Sequence, residues 1–442
     1  MLDFECIEQW VLENQQQLFT LASQLFDHPE TAQQERFACS TLCNYLEEHG
    51  FRIEKGVGEL ETAFVARWGE RGPSIGLLAE YDALPNSYQP VQARQYPASD
   101  RPGHACGHHL IGAASVVAAA AVRTLAQRLN IPLQITVYGC PAEETMRGKV
   151  IMARHGVFSD LDAAVIWHPE DFNGPAAYRC KAMTILHYKF TGISAHAAQA
   201  PHLGRSALDA CELMNVGANY LREHVERDCS FHYAYLDAPT MPNLVPSHAA
   251  VIYYVRSVQH KQVESLVRRL GDIADGAALM AGVCVEKESV LSVPETRPNL
   301  PLTSFADEVL KQLHLDPFTR QEQEFAAELL VHSGLSCKEQ ALSERKREFD
   351  GQVEQRSGSS DVAAVSRLVP TVMLRNTCVP TGVPQHHWAF AASCGSSAGL
   401  KGAGNGVKFM AALILAMADT PEILEKARQF WEEESAEKED VV

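Results

Sequence analysis

The chain has 442 residues, too many for one ordinary hydrophobic core, so its length favours two domains or one domain with a large insertion. Hydrophobic residues make up 46% and charged residues 21%, and no uninterrupted apolar run nears the roughly 18 residues of a membrane span, so a globular protein with no membrane partner is expected. Lys and Arg number 38 against 55 Asp and Glu, a formal charge of −17 that repels phosphate backbones and excludes nucleic acid as an expected partner.

The opening residues MLDFECIEQW lack the basic start and small-residue cleavage site of an export signal. Twelve cysteines lie scattered without paired short spacings, which fits a reducing compartment and predicts a cytoplasmic protein. From Glu8 to Phe51 the apolar spacing predicts two helices, with Gly50 as a C-terminal cap. Short apolar runs then alternate with helical patterns: strands at Ser74–Ala79, Leu133–Tyr138 and Ala163–Trp167, helices at Ile111–Leu129 and Val150–His155. This alternation predicts an α/β domain whose central sheet is mostly parallel and flanked by helices. From Met183 to Val293 the pattern changes to alternating strands such as Ala249–Val255, separated by amphipathic helices over Ser206–Glu226 and Gln262–Ala281, an inserted α+β domain. Thr371–Leu374 resumes the buried-strand pattern. The predicted organisation is therefore a first domain of residues 1–182 and 296–442 interrupted by a second over 183–295. The Gly-rich stretch from Gly395 to Gly406 lacks the Gly-Lys-Ser/Thr ending of a phosphate loop and is expected to be a loop entering the last helix. The acidic tail from Trp431 to Asp440 reads as a solvated helix end and frayed terminus.

Ligands and catalytic groups collect past the carboxyl ends of parallel strands, and this chain places chemistry there five times. The strand ends and the loops after them carry Glu80 and Asp82; His104, Cys106, His108 and His109; Glu143 and Glu144; His168; and His386 and His387. Each has a plainer meaning alone. His168 is an ordinary turn residue, Cys106 a buried thiol, and the Glu pair a favourable first-turn charge for a following helix. Together they are the donor types of zinc and manganese, and like charges ending a buried strand are better explained beside a cation. One carboxylate of the pair would bind metal and its neighbour would take a proton from water.

Seven segments carry a resemblance over nearly the whole chain: Ala79–Pro85 (AEYDALP), Gly103–His108 (GHACGH), Gly139–Glu144 (GCPAEE), Trp167–Pro169 (WHP), Ser194–Ala198 (SAHAA), Pro242–Pro246 (PNLVP) and Ser359–Val362 (SSDV). The chain resembles the aminoacylase-like two-metal peptidases, in the amidohydrolase branch of hippurate hydrolases, auxin-conjugate amidohydrolases and p-aminobenzoyl-glutamate hydrolases. The resemblance implies two divalent ions per subunit, zinc or manganese, held by Cys106, His108, Glu144, His168 and His386, with Cys106 bridging. It implies Glu143 as general base, Asp82 orienting a ligand, and a lid that also forms a homodimer interface. There His196 would hold the oxyanion of the opposite subunit's substrate, Asn243 would contact the substrate and Arg256 would pair with its carboxylate; a plain surface charge is the other reading of Arg256. Glu80 stands where aminopeptidase-like relatives place a metal-binding His, and either His386 or His387 ends the ligand set, His386 being preferred. The expected activity is hydrolysis of C–N bonds outside ordinary protein peptides, in N-acyl or aryl-acyl amino acids with acidic conjugates favoured; unusual dipeptides are the alternative. Two further readings are a cysteine hydrolase, with Cys106 activated by His108 or His109, and a non-catalytic metal-bound dimeric scaffold. Tyr88, Tyr96 and Phe231 would line the pocket or pack elsewhere.

Overall fold

The computed structural model describes residues 4–336 and 340–439; Asp440, the end of the acidic tail, lies outside them. The chain divides into two compact units, the first of residues 1–178, 297–354 and 364–442, the second of 179–296 and 355–363. Sequence alone leaves 355–363 in the first domain. Backbone bonds tie it to the second: Arg356 N–H donates to the Arg179 carbonyl at 2.9 Å and Lys181 N–H to Gly358 at 2.8 Å.

The first unit is built on a seven-stranded sheet of β1 (Arg52–Lys55), β2 (Phe64–Trp68), β3 (Ser74–Glu80), β4 (Gln134–Cys140), β5 (Ala163–Glu170), β6 (Gly174–Ala176) and β13 (Thr371–Thr377), in the order β1-β2-β4-β3-β5-β13-β6. The neighbours β4-β3, β3-β5 and β5-β13 are parallel, and antiparallel strands close both edges. The central strands are buried along almost their whole length because helices cover the sheet, which is why they read as continuous apolar runs rather than alternations. They run past those apolar stretches, so Glu80, Cys140 and His168 sit on the strands themselves.

Helices Phe4–Asp27, His108–Leu129 and Ser397–Asp419 pack on one another, and the latter two also on the sheet. The Ala-rich helix starts at His108, three residues before the expected Ile111, so His108 and His109 belong to its first turn. Its length and composition alone would let it cross a membrane, but it carries Arg123 and Arg128 and 89% of its apolar stretch is buried in the protein core. The Gly-rich stretch is also helical rather than a loop: the helix begins at Ser397 and runs through Gly399, Gly402, Gly404 and Gly406. Its glycines serve close packing. A Cβ at Gly402 would lie 2.1 Å from the Thr377 carbonyl and one at Gly406 2.4 Å from the Trp167 ring. The last helix, Glu422–Glu439, follows it.

Within the second unit, strands β8 (Ala182–Thr191), β9 (Ser230–Asp237), β10 (His248–Ser257) and β11 (Cys284–Val293) form an antiparallel sheet in the order β11-β8-β10-β9. Leu186, Tyr188 and Phe190 alternate along β8, and Val251, Tyr253 and Val255 along β10, to pack under helices Ala207–Leu221 and His260–Ala281. Phe231 is buried in this core beneath Arg222. The short strands β7 (Tyr178–Arg179) and β12 (Glu354–Gln355) pair as a separate ribbon.

Candidate metal centre

The carboxyl ends of β3, β4, β5 and β13 and the loops beyond them gather the chemistry of the first unit. Gly107 makes the turn between Cys106 and His108 possible: its φ of +75° favours glycine, and a Cβ there would come within 2.7 Å of Pro169. Beyond β4, Ala142 is left-handed at φ +58°, and its N–H donates to the buried Glu35 carboxylate at 2.9 Å. Glu35 also accepts from the Thr62 hydroxyl at 2.8 Å and the Gln33 N–H at 2.8 Å, so the turn presenting Glu143 and Glu144 is anchored from below. Met146 N–H closes that turn on the Glu143 carbonyl at 2.6 Å.

Within the first unit three triads of donor atoms result among the described residues, each lying within 4.8 Å: Cys106, His108 and His168; Cys106, Glu144 and His386; and His108, Glu143 and Glu144. Cys106 is common to the first two. The imidazoles are oriented by hydrogen bonds on their far sides. His108 Nδ1 donates to Asp82 Oδ1 at 2.9 Å and His168 Nδ1 to the Pro169 carbonyl at 2.7 Å, which turns each Nε2 toward the cluster. The other oxygen of Asp82 accepts the Glu144 N–H at 2.9 Å, so one buried carboxylate positions two donors. Burial pushes the Asp82 carboxyl up, but the His108 hydrogen bond and charge and the Glu144 N–H pull it below the usual carboxylate value.

The residues fit a cation. Atoms bound at about 2.0–2.3 Å around a tetrahedral ion stand roughly 3.3–3.8 Å apart. Cys106 Sγ lies 3.4 Å from His168 Nε2, and His386 Nε2 lies 3.3 Å from Glu144 Oε2. His108 Nε2 is 3.8 Å from Glu80 and 3.9 Å from each of Glu143 and Glu144, too far for hydrogen bonds. Among the described residues, His108 Nε2 and Glu144 Oε1 are both buried without a hydrogen-bond partner, a cost that a shared cation removes. Burial raises the Glu144 carboxyl against the pull of His108 and His386, and it raises the Cys106 thiol, so neither group gives up its proton readily without a positive charge beside it. A raised thiol also disfavours Cys106 as a free nucleophile.

Glu80 is buried, and its Oε1 pairs with the fully buried Lys149 at 2.7 Å. Sequence reasoning passed over both Lys149 and Glu35. Of the two adjacent histidines, His386 belongs to the cluster, whereas His387 Nδ1 accepts the Ala389 N–H at 3.2 Å and caps helix Trp388–Cys394. His386 is left-handed, φ +66°, and its N–H is held by the Ala105 carbonyl at 2.9 Å. His196, Asn243 and Arg256 lie in the second unit. The Ala197 N–H donates to the Asn243 carbonyl at 3.0 Å, which brings the segments of His196 and Asn243 together, while Arg256 is half-buried on β10 beside the Tyr254 ring.

Residues 76–416 match the model of Peptidase family M20/M25/M40. The chain belongs to that family. It is 33% identical over 453 aligned residues to one component of the p-aminobenzoyl-glutamate hydrolase of Escherichia coli, covering 96% of this chain and 94% of the relative. The Xaa-Arg dipeptidase of Mus musculus is 31% identical, covering 63% of each chain. Among solved structures, a Bacillus subtilis dinuclear metal-binding peptidase of the M20 family superposes with a TM-score of 0.59 over 92% of this chain and 99% of its own, at 19% identity, a likeness of fold. This M20 protein is accordingly a metal-dependent amide hydrolase.

Proposed function

We propose that this M20 hydrolase cleaves the amide joining an acyl or aryl-acyl group to an amino acid, acidic conjugates of the p-aminobenzoyl-glutamate or indole-3-acetyl-aspartate type first. The observation that carries the proposal is Cys106 shared between two donor triads with the Glu143 carboxylate beside them. Identity to the E. coli hydrolase along nearly the whole chain supports the substrate class. Likeness to the Xaa-Arg dipeptidase makes unusual dipeptides the second class to try.

In this reading Cys106, His108 and His168 hold one ion, Cys106, Glu144 and His386 the second, and zinc or manganese fills both. The bound ions would polarise the amide carbonyl, acidify a water and offset the negative charge of the oxyanion. Glu143 takes the proton of the attacking water and delivers it to the departing nitrogen. Asp82 holds His108 in the tautomer that leaves Nε2 free. Residues 183–295 act as a lid and homodimer surface: His196 donates to the oxyanion of the opposite subunit's substrate, Asn243 contacts the substrate carbonyl or carboxylate, and the planar fork of Arg256 pairs with that carboxylate. The free cysteines of the described residues accord with a cytoplasmic setting.

The test is release of p-aminobenzoate and glutamate by zinc- or manganese-loaded protein, followed by chromatography. Activity should fall on chelation and return with added metal. Glu143→Gln should keep its bound metal while kcat falls by about 10²–10⁴; full turnover in that variant would refute the base. Silence across a panel of N-acyl amino acids and dipeptides would favour the scaffold reading.

A further inference from the structure

Between Asp82 and the loop of Cys106 the chain makes an excursion from Leu84 to Gly103 with no helix or strand of its own. Leu84 and Gly103 close its base with two backbone hydrogen bonds of 3.1 and 3.0 Å, and Tyr88 N–H donates to the Arg101 carbonyl at 3.2 Å. Its tip is organised by Gln89, only 3% exposed. The Gln89 amide donates to the carbonyls of Pro90 and Arg94 at 3.1 and 3.0 Å and accepts the Tyr96 N–H at 2.8 Å. Tyr88 and Tyr96 meet edge to face with centroids 5.1 Å apart, and the Arg101 guanidinium lies 3.6 Å over the Tyr88 ring. The loop is therefore built rather than slack.

A cavity of about 180 Å³ opens between this loop and the start of helix Trp388–Cys394, lined by Asn86, Tyr88, Gln95, Tyr96, His386 and Trp388 among others. Its volume suits one substituted benzene ring and is below that of sites for drug-sized ligands. None of its described lining residues is a lysine or arginine, which argues against a carboxylate as occupant, whereas aromatic faces with side-chain amides suit a flat, neutral group bearing a polar substituent. Resting on the amide-hydrolase reading above, we propose that this cavity is the subsite for the aromatic acyl group, with Tyr96 and Trp388 as its walls and Gln89, which also lines it, holding the Tyr96 backbone in place.

The test pairs a binding probe, 4-aminobenzamide followed by calorimetry on metal-loaded enzyme, with turnover of benzoyl-glutamate against acetyl-glutamate. Tyr96→Ala and Trp388→Ala should each weaken probe binding roughly 2- to 12-fold, the worth of one aromatic pairing, and lower kcat/KM on benzoyl-glutamate by the same factor. Acetyl-glutamate should change far less. Gln89→Leu should raise KM for benzoyl-glutamate with kcat nearly kept, a split that general loss of fold does not produce. Equal losses on both substrates, an unchanged probe affinity in Tyr96→Ala, or no probe binding by the wild type would overturn the assignment. If neither substrate is cleaved yet the probe binds in a Tyr96-dependent way, the reaction reading fails and the aromatic subsite stands.

Discussion

His108 and His386 both direct Nε2 toward Glu144, at 3.9 and 3.3 Å, yet the side chain of the first is 1% exposed and that of the second 53%. His108 stands in the first turn of a core helix with Asp82 behind it, among Glu80, Lys149 and Glu144. His386 rides on a loop, in a left-handed backbone conformation that costs a non-glycine residue on the order of 1–3 kcal/mol. The floor of the site is thus fixed by strand ends and a buried charge network, while its rim is a loop residue whose side chain faces solvent. Metal affinity should reside in the floor and adaptability in the rim.

The severest way to break this contrast is to remove a charge from the floor. Lys149→Met strands the Glu80 carboxylate in the core, and breaking a buried pair of this kind costs about 3–5 kcal/mol, measurable by denaturant unfolding of metal-free protein. A loss below about 1 kcal/mol would mean that the floor tolerates an uncompensated charge. Next in size, Asp82→Asn should lower metal affinity about 10- to 100-fold, read by competition with a chelator, although Asp82 acts only through His108 and Glu144. His386→Asn sharpens the comparison: metal analysis should show one ion per subunit still retained and the other lost. Equal depletion of both ions would erase the distinction between floor and rim.

A further effect concerns pH. His104, whose Nε2 donates to the Leu25 carbonyl at 3.1 Å, is held near a pKa of about 3 by burial first and by the charge of His108 second. Its folded pKa lies below the ordinary 6.5, so the unfolded chain takes up the proton first. Stability from this group is complete above about pH 6.5 and declines as pH falls toward 3. Between pH 7 and pH 5 the loss should be about 2 kcal/mol, and His104→Gln should remove that increment from the pH dependence of unfolding. Burial shifts His109 in the same direction, so the wild-type slope should exceed that of one histidine.

Much of the site is legible in the sequence. The buried strands stand out as apolar runs bounded by polar chemistry, and five such boundaries point to one sheet edge. What escapes notice depends on pairings far apart in sequence. Glu35 supports Ala142 across 107 positions, a partnership no local pattern records. Lys149 lies in the first turn of helix Gly148–Arg154, and periodicity shows the face but not that its ammonium meets Glu80 in the core. The glycines from Gly399 to Gly406 read as a loop because single-chain propensity weighs their entropy, whereas their value lies in how closely the helix approaches Thr377 and Trp167. His386 and His387 are chemically identical neighbours; only the cap at Ala389 separates their tasks.

The paired base of the Leu84–Gly103 excursion has an evolutionary meaning. Because two backbone bonds close the loop before it reaches Tyr88 and Tyr96, lengthening, shortening or exchanging its tip leaves the spacing of Asp82 from Cys106 untouched. A lineage can therefore rewrite what the molecule recognises by cut-and-paste changes in one surface segment while inheriting the hydrolytic machinery intact.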